Sequence, residues 1–268
     1  MKRDEGLLPA VVVLGGTGGL GSRLVDRWLY DQPVHGRMPV VRVGSKPPPG
    51  PQPAHPWLVD LSWDVCDGPL STSSLWKAFT GELGLYPRLV INSIGVNQIV
   101  PTEQVPFEDL LYLTQVNVWP TIALAQGLVG APTAYAPGVE KSTLVSIGSN
   151  ACEGAGAHSL CYVASKHALT GVTRSLARDF KGRINVLQIN PPKIEDDESV
   201  MSRLIDGRNA ELRSISLEEE KARQAASSPS GLGYPSSQTV AGWIYDLLRD
   251  FKRHGYLHGT IARIGYGT

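Results

Sequence analysis

The sequence predicts an α/β fold: a single-domain, Rossmann-type doubly wound parallel sheet with helices on both faces. Three observations carry this expectation. Short β-branched runs alternate with helically patterned segments, a glycine-rich stretch stands where the first run meets the first helix, and 268 residues suit one large core. The whole span 1–268 is therefore expected to form one domain.

In order along the chain, Ala10 to Leu14 is a β-branched run that stops at glycines, and Leu20 to Leu29 follows helical periodicity with Gly21 and Ser22 near its start. Further strand-like runs occur at Val40 to Val43, Trp57 to Val59, Leu89 to Ile91, Leu144 to Ile147 and Ile184 to Ile189, separated by helical patterning. Such alternation calls for right-handed crossovers between parallel strands. The proline-rich stretch 46–56 has the composition of a linker, but the strand-like WLV that follows at once makes it a stiff surface insertion. Residues 195–238 run from IEDDES through LEEEKARQAASS to SPSGLGYPSS and read as a mobile substrate lid containing a helix. No internal repeat is visible.

Lys+Arg and Asp+Glu both number 25, so no net field points to nucleic acid or an acidic membrane surface. Cys66, Cys152 and Cys161 show neither Cys-x-x-Cys spacing nor an even framework, which favours a reducing compartment and no metal site. No apolar stretch approaches 18 residues. The expectation is a soluble, cytoplasmic protein with a small-molecule ligand.

The chemistry-bearing residues lie around one helix. In LCYVASKHALTGVTRSLARDF, Tyr162 and Lys166 are four apart and share a face. A phenol with an ordinary pKa of about 10 is a sluggish acid or base near neutrality unless a close cation stabilises its phenolate, and Lys166 is that cation. Ser149 follows the apolar run TLVSIGS, where a hydroxyl at a strand end is placed to bond a substrate carbonyl oxygen.

The turn LGGTGGLG, from Leu14 to Gly21, lets a pyrophosphate approach backbone amides at a helix N-terminus. Gly15, Thr17, Gly19, Leu20 and Gly21 are the expected contacts. The second strand ends VRVGSK, where Arg42, Ser45 and Lys46 offer donors and positive charge but no carboxylate, so NADP(H) is expected in preference to NAD(H). Asp60, read as ending the third strand with Leu61 beside it, is placed at the adenine, although an aspartate there equally serves a turn.

In this order the residues resemble the short-chain dehydrogenase/reductase superfamily over nearly the whole chain. That family's glycine motif is matched except that Leu14 replaces threonine; its Asn-Asn-Ala-Gly appears as Asn92, Ser93, Ile94 and Gly95; its active-site asparagine maps to Asn117, and its serine, tyrosine and lysine map to Ser149, Tyr162 and Lys166. The resemblance implies that Tyr162 is the general acid/base, that Ser149 polarises the substrate, and that Lys166 binds the nicotinamide ribose and lowers the tyrosine pKa. Asn117 would hold a proton-relay water, and Asn92, Gly95 and Pro191 would contact the cofactor. It also implies a homodimer or homotetramer formed through the helices that carry Asn117 and Tyr162.

One departure stands out. Where the family usually carries Pro-Gly after the sixth strand, this chain reads NPPKIEDDE, and Pro192 removes an amide donor and fixes φ. This Pro-Pro-x-x-Glu run resembles a subgroup of fungal reductases of prenylated-indole alkaloid pathways, in which imine or iminium reduction is linked to an intramolecular Diels-Alder closure. That subgroup has an eroded tetrad, whereas all four positions are filled here, so the carry-over concerns the loop and the substrate class. Four further residues are candidates for substrate contact: Trp119, Cys152, His158 and Glu195, each with a plainer alternative in packing or solvation. Reduction of a C=O or C=N bond, cyclisation without net redox, and ordinary carbonyl reduction all stay open.

Overall fold

The computed structural model describes residues 7–32, 37–46, 55–67, 75–130, 140–154, 156–195, 200–228 and 233–265. Most of the proline-rich insertion, 47–54, and parts of the lid, 196–199 and 229–232, lie outside the described residues. Seven parallel strands form one sheet in the order β3-β2-β1-β4-β5-β6-β7. They are β1 Leu8–Leu14, β2 Val40–Gly44, β3 Leu58–Ser62, β4 Leu85–Asn92, β5 Thr143–Ile147, β6 Asn185–Asn190 and β7 Ile261–Arg263. Among the described residues the main helices are α1 Gly19–Tyr30, α2 Phe107–Asn117, α3 Trp119–Gly130, α4 Leu160–Asp179, α5 Val200–Arg213, α6 Leu217–Ala226 and α7 Ser237–Leu248.

The central strand shows why these residues pair as they do. Along β1, Val12 and Leu14 face one layer with Val116 of α2, Leu124 of α3 and Leu176 of α4, while Val11 and Val13 face the other with Trp28 of α1 and Ile244 of α7. Both faces are sealed, so the strand reads as an unbroken apolar run and not as an alternating one. The expected doubly wound sheet is present. The seventh strand, absent from the sequence reading, is only three residues long and pairs with β6 alone. It has no apolar run to announce it.

Two helices occupy the segment read as a lid with one. Ser216 and Glu219 form a reciprocal capping box that starts α6 afresh after α5, so the charged LEEEK run is a helix start of its own. Glu220 is fully buried between the two helices and pairs with Arg213 at 3.1 Å and Arg223 at 2.8 Å. Those bonds hold its carboxyl down at about 2.

Strand order reverses between β1 and β4, the place where open α/β sheets bind ligands beyond their carboxyl ends. A cavity of about 740 Å³ opens there. Among the described residues, no helix is long and apolar enough to cross a membrane, and no group of three or more His, Cys, Asp or Glu side chains is placed to hold a metal ion.

Candidate active site

The glycine turn builds one end of the cavity. Gly15 has φ +72°, and a Cβ there would lie 3.0 Å from the Ser93 carbonyl; a Cβ on Gly21 would drive into the Gly15 carbonyl oxygen. No side chain fits at either place. The helix α1 starts without a side-chain cap or an acidic residue in its first turn, so no carboxylate of that turn competes for its leading N–H groups. Gly15, Thr17, Gly19, Leu20 and Gly21 all line the cavity. This cradle fits a pyrophosphate.

Further along, the expected ribose and adenine contacts separate. Ser45 lines the cavity, but Arg42, Lys46, Asp60 and Leu61 do not. Arg42 and Asp60 are register partners on adjacent strands and form a two-pronged ion pair, Nε–Oδ1 2.6 Å and Nη2–Oδ2 2.9 Å. Asp60 falls in the middle of β3, with Leu61 beside it, because the strand runs on to Ser62; the cavity wall is made instead by Asp64, Val65 and Cys66. At Gly44, which ends β2, a Cβ would meet Thr17 Oγ1 at 2.7 Å, so Thr17 would have to shift before a side chain could stand there.

The catalytic candidates converge where β5 ends. Ser149, Tyr162 and Lys166 line the cavity together with Gly95 and Pro191. Lys166 is buried and donates to the Ile147 carbonyl at 3.2 Å, with its Nζ 5.7 Å from the Tyr162 ring centre. Burial pushes its ammonium down to about 8. The Tyr162 phenol moves the opposite way from the expectation: burial raises it above its ordinary value, against the lowering exerted by its hydrogen bond with Ser149. Desolvation outweighs that lowering.

Asn117 is buried at the end of α2, off the cavity wall. Its Oδ1 accepts from Val96 N–H at 2.8 Å, and its Nδ2 donates to the Val96 carbonyl at 3.0 Å and to Ser165 Oγ at 2.9 Å. It therefore clamps the loop after β4 to the tyrosine helix. Asn92 is likewise beneath the surface: Nδ2 donates to Thr121 Oγ1 at 3.0 Å and Oδ1 accepts from Ile94 N–H at 3.2 Å, which shapes the loop without reaching the cavity.

None of the four substrate candidates lines the cavity. Trp119 opens α3 as a half-buried packing residue. Cys152 is buried and accepts from Gln188 Nε2 at 3.2 Å. His158 makes a left-handed turn, φ 60°, and its carbonyl accepts from Val100 N–H. Glu195 turns away to accept from Tyr234 N–H at 3.3 Å. In their place the cavity wall holds Tyr112, Met201, Ile205 and Tyr234, with Lys193 and Asp206 paired at 3.0 Å. Lys193 sits two residues past Pro191, a spacing that marks it once Pro191 is placed; Asp206 comes from α5 and carries no sequence signal.

Sheet order and the glycine turn at its switch point define the class of fold, a Rossmann-type doubly wound sheet, and Ser149, Tyr162 and Lys166 line the cavity at that point. Residues 79–204 match the family model described as short chain dehydrogenase. No curated protein sequence matches significantly. Among solved structures, a short chain dehydrogenase family protein from Francisella tularensis is 20% identical with TM-score 0.76, covering 96% of this chain and 97% of that one. A single-residue variant of actinorhodin polyketide ketoreductase, with NADPH, is 18% identical, TM-score 0.78, covering 98% and 97%. L-sorbose reductase from Gluconobacter frateurii, complexed with NADPH and L-sorbose, is 15% identical, TM-score 0.77, covering 98% and 96%. At these identities the likeness is one of fold.

Proposed function

We propose that the protein is an NADP(H)-dependent reductase acting on a C=O or C=N bond of a bulky, largely apolar small molecule. The observation that carries this reading is the placing of Ser149, Tyr162 and Lys166 on the wall of the same cavity as the glycine cradle. Gly15, Gly19 and Gly21 would hold the pyrophosphate, and the Ser45 hydroxyl at the end of β2, where NAD sites carry a carboxylate, favours the 2′-phosphate form. The cofactor, when bound, supplies the hydride.

The chain supplies the rest. Ser149 bonds and orients the substrate oxygen, Tyr162 delivers the proton to it, and Lys166 supplies positive charge beneath the phenol. Asn117 keeps Val96 and Ser165 together and so fixes the cavity floor under Gly95. Met201 and Ile205 of α5 close the apolar side and exclude water. We infer self-association through the face that exposes Phe107, Leu111, Tyr112 and Leu160 on α2 and α4, residues too apolar to be left contiguous to solvent without purpose.

Calorimetric titration with NADPH and NADH tests the cofactor half: NADPH is expected to bind at micromolar or tighter Kd, about −8 kcal/mol, and NADH far more weakly. Tyr162→Phe then tests the chemistry on a panel of ketones and imines. Loss of roughly 100-fold or more supports acid catalysis of carbonyl reduction. Retained activity favours a second reading suggested by the Pro191–Pro192 loop, iminium reduction, where carbon accepts hydride without a proton donor; product formed without NADPH consumption would instead mark a cyclase of the Diels-Alder kind, for which the fold supplies only pre-organisation.

A further inference from the structure

One stretch of the cavity wall is charged although its neighbours are apolar. Lys193, from the segment after β6, and Asp206, from α5, line the cavity beside Met201, Ile205 and Tyr234, and their side chains meet at 3.0 Å. Asp206 is only 6% exposed, so its carboxylate must find its partners in the protein or in a ligand.

The protein satisfies half of it. Asp206 Oδ1 accepts twice, from Lys193 Nζ at 3.0 Å and from Gln224 Nε2 at 3.1 Å, whereas Oδ2 accepts from none of the described residues. Nor is Oδ2 sealed away: among the described residues, the enclosed side-chain polar atoms without a partner belong to Arg27, Trp28, Arg37 and Trp76. An open, unpaired oxygen on a residue of the cavity wall is reached from the cavity. Lys193 Nζ is the matching donor. Of its three protons, one goes to Asp206 Oδ1 and one to Gln224 Oε1, which leaves a third. Tying the loop after β6 to α6 takes Oδ1 and Gln224 alone, and Oδ2 plays no part in it.

Side by side, the two residues offer one donor and one acceptor and carry no net charge. A ketone oxygen could only accept there, and a protonated amine could only donate; a hydroxyl does both at one atom. We propose that Lys193 and Asp206 form a subsite for a hydroxyl of the substrate, remote from the bond that is reduced, so that the substrate is a hydroxylated, otherwise apolar carbonyl or imine compound. This rests on the reading of the cavity as a reductase site. The placing suits it. Asn150, next to Ser149, donates its N–H to the Pro191 carbonyl at 2.9 Å, and the two residues from Pro191 to Lys193 span at most about 7 Å of main chain. A molecule of two or three fused rings bridges such a distance.

The test compares α-tetralone, a bicyclic aromatic ketone, with its ring-hydroxylated isomers and their methyl ethers, by calorimetry on the protein in excess NADP+. At least one hydroxylated isomer is expected to bind about tenfold or more tighter than tetralone, the order of one hydrogen bond to a charged group. Its methyl ether, with no proton to give Asp206, is expected to bind no better than tetralone. In the double variant Lys193→Met with Asp206→Leu, which removes both charges together, the hydroxyl advantage is expected to vanish. The readout is the ratio of the two dissociation constants, because a damaged wall weakens both ketones alike and leaves their ratio where it was. The proposal is overturned if no isomer gains, if the ether binds as tightly as the alcohol, if the ratio survives in the double variant, or if none of the compounds binds. The ether comparison needs no variant and decides the matter should the double variant fail to fold. A hydroxyl preference in binding, with no oxidation of NADPH by any of the ketones, upholds the subsite and sinks the reductase reading alone.

Discussion

Lys166 combines a buried ammonium with a bond to a main-chain carbonyl, and its titration near 8 has two consequences of opposite sign. For stability, the folded pKa lies below the ordinary 10.5, so burying the charged form is costly below about 8, and that cost disappears between about 8 and 10.5 as the folded state releases its proton first. For catalysis, the charge beneath the phenol fades over the same rise. Reductive turnover is expected to fall above about pH 8, and Lys166→Arg, which stays charged, to extend the alkaline limb at a lower plateau. A limb that does not move in that variant would remove Lys166 from the charge balance. At the other end of the cavity, Gly21→Ala is expected to weaken NADPH binding on the order of tenfold or more, read by calorimetry, because the methyl displaces Gly15 from the cradle. Residues at this scale were legible where their logic is local. Tyr162 and Lys166 share a helical face by spacing alone, and the glycine turn declares itself between a strand and a helix. Arg42 and Asp60 were misread because the register that makes them partners belongs to two strands at once, and Asp64 was missed because β3 runs on past Asp60.

Among elements, α5 and α6 are tied by polar bonds more than by an apolar seam. Glu220 is buried with Arg213 and Arg223, while Gln224 donates to Asp206, which in turn accepts from Lys193 beside the cavity. The Glu220 carboxyl is held well below its ordinary 4.5, so this contribution is complete above 4.5 and fades as the pH falls toward about 2. Glu220→Gln is expected to speed amide hydrogen exchange in both helices at neutral pH while leaving β1 and β4 protected, since local opening tracks local bonding. A second polar tie joins the far ends of β5 and α7, where the fully buried His254 bonds Thr143 Oγ1 at 2.9 Å and the Leu248 carbonyl at 2.8 Å. Burial lowers its pKa from 6.5, so the unfolded chain takes up a proton that the folded one resists, and thermal stability is expected to drop as pH falls below 6.5. His254→Gln is expected to flatten melting temperature against pH over that range. The lid shows where element reading stops: acidic residues mark a helix start, but that LEEEK starts a second helix depends on the Ser216 cap.

For the whole molecule, composition and alternation were enough for a doubly wound parallel sheet, because strands sealed on both faces must be continuously apolar. What escaped was β7, whose three residues gain their place from β6 and from nothing within themselves. The exposed face of α2 and α4 belongs to this scale too. Sedimentation velocity is expected to find a dimer or tetramer, and Phe107→Asp with Leu111→Asp to yield monomers that still bind NADPH; a wild-type monomer would refute the assembly. The late strand matters in one further way. Ile264 N–H donates to the Asn190 carbonyl, and a Cβ on Gly265 would stand 2.8 Å from Pro192 Cγ, so this segment lies directly against a loop of the cavity wall. On the ribosome, the serine, tyrosine and lysine all emerge long before residues 261–265 do. A nascent chain thus carries Ser149, Tyr162 and Lys166 before the segment that stands behind Pro192 has been made.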